Sequence, residues 1–253
     1  IGWMLNELSL VLCQYQNDAD RFESLKIARE KIFVTGSVKF DLDVDSSHAE
    51  KCQNIRVNLP VKKPIWIAAS THEGEDEKLL QVHKELRVYL PDAMLILVPR
   101  HPERFESAEQ HAVKYGFETS KRTSEAAIPS DAEVYVVDTM GELMDFYAMS
   151  DIAFIGGSLV EVGGHNPIEP GALGLPIVIG PHHFNFEAIC HQLVTANAME
   201  IVQDESELLK HLVYLFTHPD EVRRRGKEAL AVVASSKGAV NRVVDHLAPL
   251  LEK

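Results

Sequence analysis

The residues best equipped for chemistry lie between Ile155 and Asn185, in IGGSLVEVGGHNPIEPGALGLPIVIGPHHFN. Seven glycines and four prolines there surround two Asn, two Glu and three His. The pairs Gly156-Gly157, before Ser158, and Gly163-Gly164 leave backbone N–H groups exposed and permit positive φ, which suits a cradle for an anion. Gly157, Ser158 and Gly164 are therefore candidate contacts for a phosphate or a sugar. Behind them, Asn166, Pro167 and Glu169 read as the N-cap, first and third residues of a helix, a capping-box arrangement. A carboxylate such as Glu169 can also accept hydrogen bonds from both hydroxyls of a ribose. The pattern is not G-x-G-x-x-G and does not follow the first strand, which disfavours a dinucleotide dehydrogenase. His165, His182 and His183 lack both i, i+4 and His-x-His spacing. A hydrogen-bonding or core role suits them better than metal ligation, and no metal is expected.

Three further loops carry chemistry. In AASTHEGEDE (Ala68–Glu77), Ser70 or Thr71 caps a helix whose first turn is acidic, and free N–H groups there suit a phosphate or carboxylate. The segment is not the zinc motif H-E-x-x-H, because residue 76 is Asp. In LILVPRHPERF (Leu95–Phe105), Pro99 and Arg100 end an apolar strand, and Arg100 offers a planar fork of donors to an anion. In VVDTMGELMDFYAMSD (Val136–Asp151), Thr139, Met140 and Gly141 turn a strand into a helix. Gly141 lets backbone approach a flat ligand and read its edge.

The elements that must position these loops are legible as periodicity. Apolar, mostly β-branched runs occur at Ile32–Thr35, Ile65–Ala69, Met94–Val98, Val134–Val137, Ile152–Ile155 and Pro176–Ile179. Helical patterns separate them: Glu75–Leu90, with Leu79, Val82, Leu86 and Tyr89 on one face, then Pro102–Tyr115 and Glu142–Met149. Glu205–Thr217, Pro219–Ser235 and Ala239–Leu251 follow. Continuous apolar strands alternating with helices predict an α/β, Rossmann-like, doubly wound parallel sheet over 64–253. Residues 1–40 form a smaller α/β piece, and the polar segment 41–63 reads as a linker. Ligands of such sheets bind at the carboxyl ends of the strands.

Composition bounds the function. The net charge of −13 argues against a nucleic-acid binder or a basic membrane-surface protein, so an anionic ligand must be met by a local cluster of donors. Cys13, Cys52 and Cys190 are odd in number and scattered, which favours a reducing compartment over a disulfide framework. No apolar run approaches the roughly 18 residues of a membrane span. The chain opens on IGWMLNELSL without an initiator Met, and a longer parent protein is expected.

Taken together and in order, VTGSVKFD, STHEGED, VPRHPERF, DTMGELMDFYAMSDIAFIGGS and GGSLVEVGGHNPIEPGALGLPIVIGPHHFNF resemble the 3-deoxy-D-manno-octulosonic acid (Kdo) transferases. Those are two-domain glycosyltransferases of the GT-B fold, and the resemblance runs across nearly the whole chain. It implies that this is the C-terminal half of such an enzyme, carrying the last elements of the N-terminal domain. It further implies CMP-Kdo as donor, a lipid A precursor as acceptor, and transfer with inversion at the anomeric carbon. The implied CMP contacts are Pro99 and Arg100, the turn Thr139, Met140, Gly141 and Glu142, and Asn166, Pro167, Ile168 and Glu169. Ser70 and Thr71 are additional contacts near the phosphate or sugar. The family's general base is a Glu of the N-terminal domain, in a segment these residues do not include, as is its membrane-associating segment. The resemblance thus places the parent enzyme at the cytoplasmic face of the bacterial inner membrane, with this part soluble and no cofactor beyond the donor substrate. One departure is Gly171, where other members often carry Ala.

Two alternatives remain at this level. One is the donor domain of a UDP-sugar GT-B enzyme, such as an N-acetylglucosaminyltransferase or a nucleotide-sugar epimerase, which base preference separates from the first reading. The other is a noncatalytic nucleotide-binding module, which an acceptor domain with a carboxylate facing the cleft would exclude.

Overall fold

The computed structural model describes residues 2–5, 7–42, 59–60, 63–124 and 127–251. Most of the linker expected at 41–63 lies outside the described residues, as does Cys52. The chain divides into two compact units, one made of Ile1–Asp43 with Val233–Lys253 and the other of Val44–Val232.

In the first unit, helix α1 (Gly2–Leu5) precedes strand β1 (Val11–Cys13), helix α2 (Gln16–Ser24) and strand β2 (Ile32–Val34). The two strands pair in parallel, Leu12 opposite Phe33, over a small core of Val11, Cys13, Ala19, Ile27 and Ile32. The final helix, Ala239–Leu251, which the sequence groups with residues 64–253, packs within this unit. Local chemistry explains why. The Asp41 carboxylate accepts the Gly238 and Val240 amides at the start of that helix, at 2.5 and 2.6 Å. These bonds hold its pKa below the usual carboxylate value, Val240 contributing most. Arg242 Nε donates to the Thr35 carbonyl at 2.7 Å, and the Phe33 and His246 rings meet at 4.0 Å.

The second unit is built on a seven-stranded sheet of β3 (Ile65–Thr71), β4 (Met94–Pro99), β5 (Thr119–Lys121), β6 (Val134–Val136), β7 (Ile152–Ile155), β8 (Ile177–Ile179) and β9 (Met199–Ile201). Their order is β5-β6-β4-β3-β7-β8-β9, and every ladder is parallel. Alternate residues feed two cores. Trp66, Ala68, Leu95, Leu97, Val134, Val136 and Phe154 face one side, under α3 (Asp76–Tyr89), α4 (Phe105–Lys114) and the later helix Glu205–Thr217. Ile65, Ile67, Ala69, Met94, Ile96, Tyr135 and Ala153 face the other, where α5 (Leu143–Ala148) contributes Phe146 and Tyr147. Burial on both faces is what the unbroken apolar runs require. Successive connections step outward from β3 through β4 on one side and through β7, β8 and β9 on the other. The reversal at β3 and β7 is the topological switch point at which open α/β sheets bind ligands.

The first core contains a buried polar pair with a consequence for stability. Trp66 Nε1 donates to His83 Nδ1 at 3.1 Å, so the His83 proton sits on Nε2, which lies 3.0 Å from the Glu133 carbonyl. His83 is fully buried, and burial pushes its pKa down to about 3. A histidine depressed in the fold favours the neutral ring. Its contribution is complete above the unfolded value near 6.5 and is lost as pH falls from there toward 3. Between neutral pH and pH 5.5 this group alone is expected to cost about 1 kcal/mol of stability. Urea unfolding at the two pH values, alongside an NMR titration of the His83 ring, tests this. A ring that titrates near 6.5 in the folded protein contradicts it.

Candidate functional site

A cavity of about 420 Å³ opens at the carboxyl ends of β3, β4, β6 and β7. Its size is that of a pocket for a nucleotide-sized ligand. Ser70 lines it from β3, Val98 and Pro99 from the end of β4 with Arg100 just after it, and Val137, Thr139, Met140 and Gly141 from the turn after β6. Leu143, Met144 and Tyr147 of α5 form an apolar wall, and His165, Asn166, Glu169 and Phe186 close the far side. Five segments, the farthest apart being Ser70 and Phe186, thus converge on one space.

Each contribution has a local cause. Gly156 follows β7 with its amide on the Ala69 carbonyl at 2.8 Å. A Cβ there would come within 2.5 Å of the Ser70 carbonyl oxygen and 2.7 Å of Thr71 Cα, so only glycine lets β3 and β7 approach this closely. Ser70 itself is held in the left-handed region at φ 60°, a strained conformation of the kind that clusters at ligand sites. The Arg100 amide donates to the Thr71 carbonyl at 3.0 Å. Its exposed guanidinium has no hydrogen-bond or ion-pair partner among the described residues. Gly141 has φ +86° with open space around it, so the turn demands glycine for its backbone rather than for its size.

Asn166 and Glu169 sit at the start of the short helix α6 (Ile168–Ala172). Asn166 Oδ1 accepts the Ile168 amide at 3.1 Å, and Asn166 Nδ2 donates to Glu169 Oε1 at 3.2 Å. The expected capping box is therefore modified: Pro167 precedes the helix, and Glu169 bonds the Asn166 side chain. Burial raises the Glu169 pKa, with the Asn166 bond opposing. The Tyr147 hydroxyl is held well above its usual pKa, first by burial and then by the nearby Glu169 charge.

Other expected contacts have different duties. Glu142 pairs with Arg122 through Nε at 3.2 Å and Nη2 at 3.0 Å, and accepts the Thr139 hydroxyl at 2.5 Å. Its carboxylate braces the Thr139–Gly141 turn instead of lining the cavity. Pro167 and Ile168 are buried and do not line the cavity. Thr71 is fully buried: its hydroxyl donates to Asp76 at 2.7 Å, and its carbonyl takes Arg104 Nη1 at 2.6 Å. Arg104 also pairs with Asp76, whose burial raises its pKa.

The amides of Gly157 and Ser158, expected to cradle an anion, are already satisfied. The Glu75 carboxylate, fully buried, accepts Gly157 N at 2.6 Å, Ser158 N at 3.0 Å and Leu159 N at 2.9 Å, together with His72 N at 2.9 Å. The Gly164 amide donates to the Gly157 carbonyl at 2.8 Å and closes the loop on itself. The cradle is real, but its anion is internal, so Gly157, Ser158 and Gly164 offer no free amide to a ligand.

A cluster of protonatable groups stands beside the cavity. His72 and His165 place their Nε2 atoms 2.8 Å apart with ring planes 9° from parallel and centroids 5.0 Å apart, and the His101 ring meets His72 edge-on at 5.3 Å. Burial, followed by His72, Arg100 and His101, pushes the His165 pKa down to about 4. The His72 pKa is also lowered, first by burial and then by His101, Arg104 and Arg100. Both rings are neutral at pH 7 and share one hydrogen bond, while Arg100 carries the positive charge. Donors are thus concentrated locally in a chain of net charge −13. Among the described residues no group of three or more His, Cys, Asp or Glu is arranged to hold a metal ion. No helix among them is long and apolar enough to cross a membrane.

Comparison with known proteins agrees with this geometry. The profile of the family described as 3-deoxy-D-manno-octulosonic-acid transferase (kdotransferase) matches residues 1–42. The 3-deoxy-D-manno-octulosonic acid transferase of Haemophilus influenzae is 38% identical over 251 residues, covering 99% of this chain and 59% of that protein. The chain therefore spans somewhat over half the length of this relative. The solved C-terminal CMP-Kdo binding domain of WaaA from Acinetobacter baumannii is 30% identical and superposes with a TM-score of 0.68, covering 78% of this chain and 99% of that domain. Anabaena HepE, solved with UDP and glucose, covers 97% of this chain and 63% of its own with a TM-score of 0.58, but at 14% identity it shares the fold alone. On these matches the chain belongs to the Kdo transferase family, and its second unit has the Rossmann-like parallel sheet of a GT-B enzyme.

Proposed function

We infer that this chain is the donor-binding part of an inverting glycosyltransferase that moves Kdo from CMP-Kdo to a lipid A precursor. The observation that carries the reading is the convergence of Arg100, the Thr139–Gly141 turn, Asn166 and Glu169 in one cavity at the switch point of the sheet. The family match over a CMP-Kdo binding domain supports it. Glu169 suits the ribose hydroxyls, the main chain at Gly141 suits the edge of a base, and Arg100 suits the phosphate. As the glycosidic bond breaks, charge develops on the departing CMP phosphate, and donors already in place stabilise it without reorganisation. Arg100 and neutral donors meet that charge without an obligatory metal on this reading. The general base, the acceptor surface and attachment to the cytoplasmic face of the inner membrane belong to the part of the family's length that these residues do not span. On this reading these residues supply the donor-binding share of the reaction.

Calorimetric titration with CMP, and with UMP and UDP as controls, tests the assignment. CMP is expected to bind at least about tenfold more tightly than UMP, a difference of about 1.4 kcal/mol. Preference for UDP would replace this reading with a UDP-sugar enzyme, and a chain that binds none of the three would overturn the donor assignment.

A further inference from the structure

We propose that Glu75 is the positioning residue of this site: its carboxylate is a built-in anion that fills the amide nest after β7, fixes His165 and Asn166 against the cavity, and keeps a ligand's phosphate out of the nest. The proposal rests on the donor-site reading for what is positioned, but not for the nest itself.

The geometry is specific. Glu75 Oε1 accepts from Ser158 and Leu159, and Oε2 accepts from Gly157 and His72. Four main-chain donors on two loops therefore converge on one carboxylate, with 82 to 84 residues separating Glu75 from the glycine loop. Successive amides at a glycine with φ +67° form the concave arrangement that binds phosphate elsewhere, so the fold spends on itself a site that could hold a ligand. What the nest holds is transmitted directly. A Cβ on Gly157 would lie 3.2 to 3.3 Å from the His165 ring and 3.3 Å from the His72 ring, so both imidazoles rest on this backbone. Gly164, which precedes His165 and Asn166, is bonded to the Gly157 carbonyl. Loosening the nest therefore moves the two cavity residues that follow it, and the ligand phosphate is left to Arg100 and His165.

Glutamine at this position keeps one acceptor oxygen but turns an NH₂ toward two N–H donors. Glu75→Gln is expected to stay folded by near-UV circular dichroism and to lose about tenfold or more in CMP affinity. Its Gly157–Leu159 amides should exchange faster, and the His165 ring ¹⁵N signals should shift while those of His83 do not. That contrast separates positioning from general loosening. Glu75→Ala leaves the nest empty, and formate at tens of millimolar is expected to restore both amide protection and CMP affinity in it, with no effect on the unmodified protein. An alanine variant that folds only with formate supports the assignment equally. Wild-type CMP affinity in folded Glu75→Gln, or a folded Glu75→Ala indifferent to formate, would overturn it. If the unmodified protein fails to bind CMP, the donor reading falls, while the exchange and formate measurements still decide whether Glu75 holds the nest.

Discussion

Replacing Arg100 by alanine is expected to weaken CMP binding by about 1.5–3 kcal/mol, roughly 10- to 150-fold, while changing cytidine binding by no more than about threefold. The asymmetry follows from where the side chain stands. Arg100 directly follows β4 with its backbone tied to Thr71, and its guanidinium is exposed beside the cavity with no acidic partner among the described residues. A charge-assisted fork on a phosphate is worth about twice a neutral hydrogen bond, and no other Arg or Lys among the described residues lines the cavity. Because the group is exposed, the loss should shrink as salt rises from low ionic strength toward 1 M, where the screening length falls to about 3 Å. Arg100→Lys should recover part of the affinity, since it keeps the charge and loses the planar fork. Removing the charge should also let the His165 pKa rise, Arg100 being one of the groups that depress it. Calorimetry of both ligands decides the matter, and equal losses for CMP and cytidine would show that Arg100 does not address the phosphate.

Strong local signals made part of this legible without coordinates. The apolar runs that became β3, β4, β6, β7 and β8 are buried on both faces, and residues buried on both faces must be apolar throughout. The edge strand β5 reads Thr119-Ser120-Lys121, half exposed, and β9 carries Glu200 between Met199 and Ile201. Neither presents a run, because an edge needs to satisfy only one neighbour. The lining of the cavity was legible where a loop's own chemistry was unusual, as at Arg100, Gly141, Asn166 and Glu169. It was not legible where a residue's duty depends on a distant partner. Glu75 reads as an acidic first-turn residue until the glycine loop arrives beside it. Glu142 reads as a turn residue facing the ligand until Arg122, 20 positions earlier, claims it. The same holds for His72, whose partner is 93 residues away. Glycine-rich backbone announces that an anion is wanted, but not whether the ligand or the protein supplies it.

Glu169 makes the opposite kind of prediction, one in which binding and stability part company. Its carboxyl is largely buried, and burial raises its pKa against the single bond from Asn166. A carboxylate whose pKa is higher folded than unfolded costs the fold stability in full above the folded value, and the cost shrinks as pH falls from there and is gone below the unfolded value. Glu169→Gln removes that charge while keeping the shape, so the ligand-free variant should melt at the same temperature as the unmodified protein or higher. Affinity should move the other way. An ionised carboxylate can accept from both hydroxyls of a ribose, whereas an amide offers one acceptor and two donors. Losing a charged acceptor for two hydroxyls is expected to cost about 1–3 kcal/mol in CMP binding, and as much in cytidine binding, because the contact is to the nucleoside. Affinity in the unmodified protein should therefore weaken on acidification earlier than an ordinary carboxylate would dictate, and the glutamine variant should lack that acid limb. Paired melting curves and titrations of CMP and cytidine from pH 7.5 downward measure all of this. A variant that binds CMP as well as the unmodified protein would remove Glu169 from the ribose. One that loses CMP but keeps cytidine would move it to the phosphate end. Stability bears on the same point: a carboxylate kept in the cavity at a cost to the fold has its justification in what it binds.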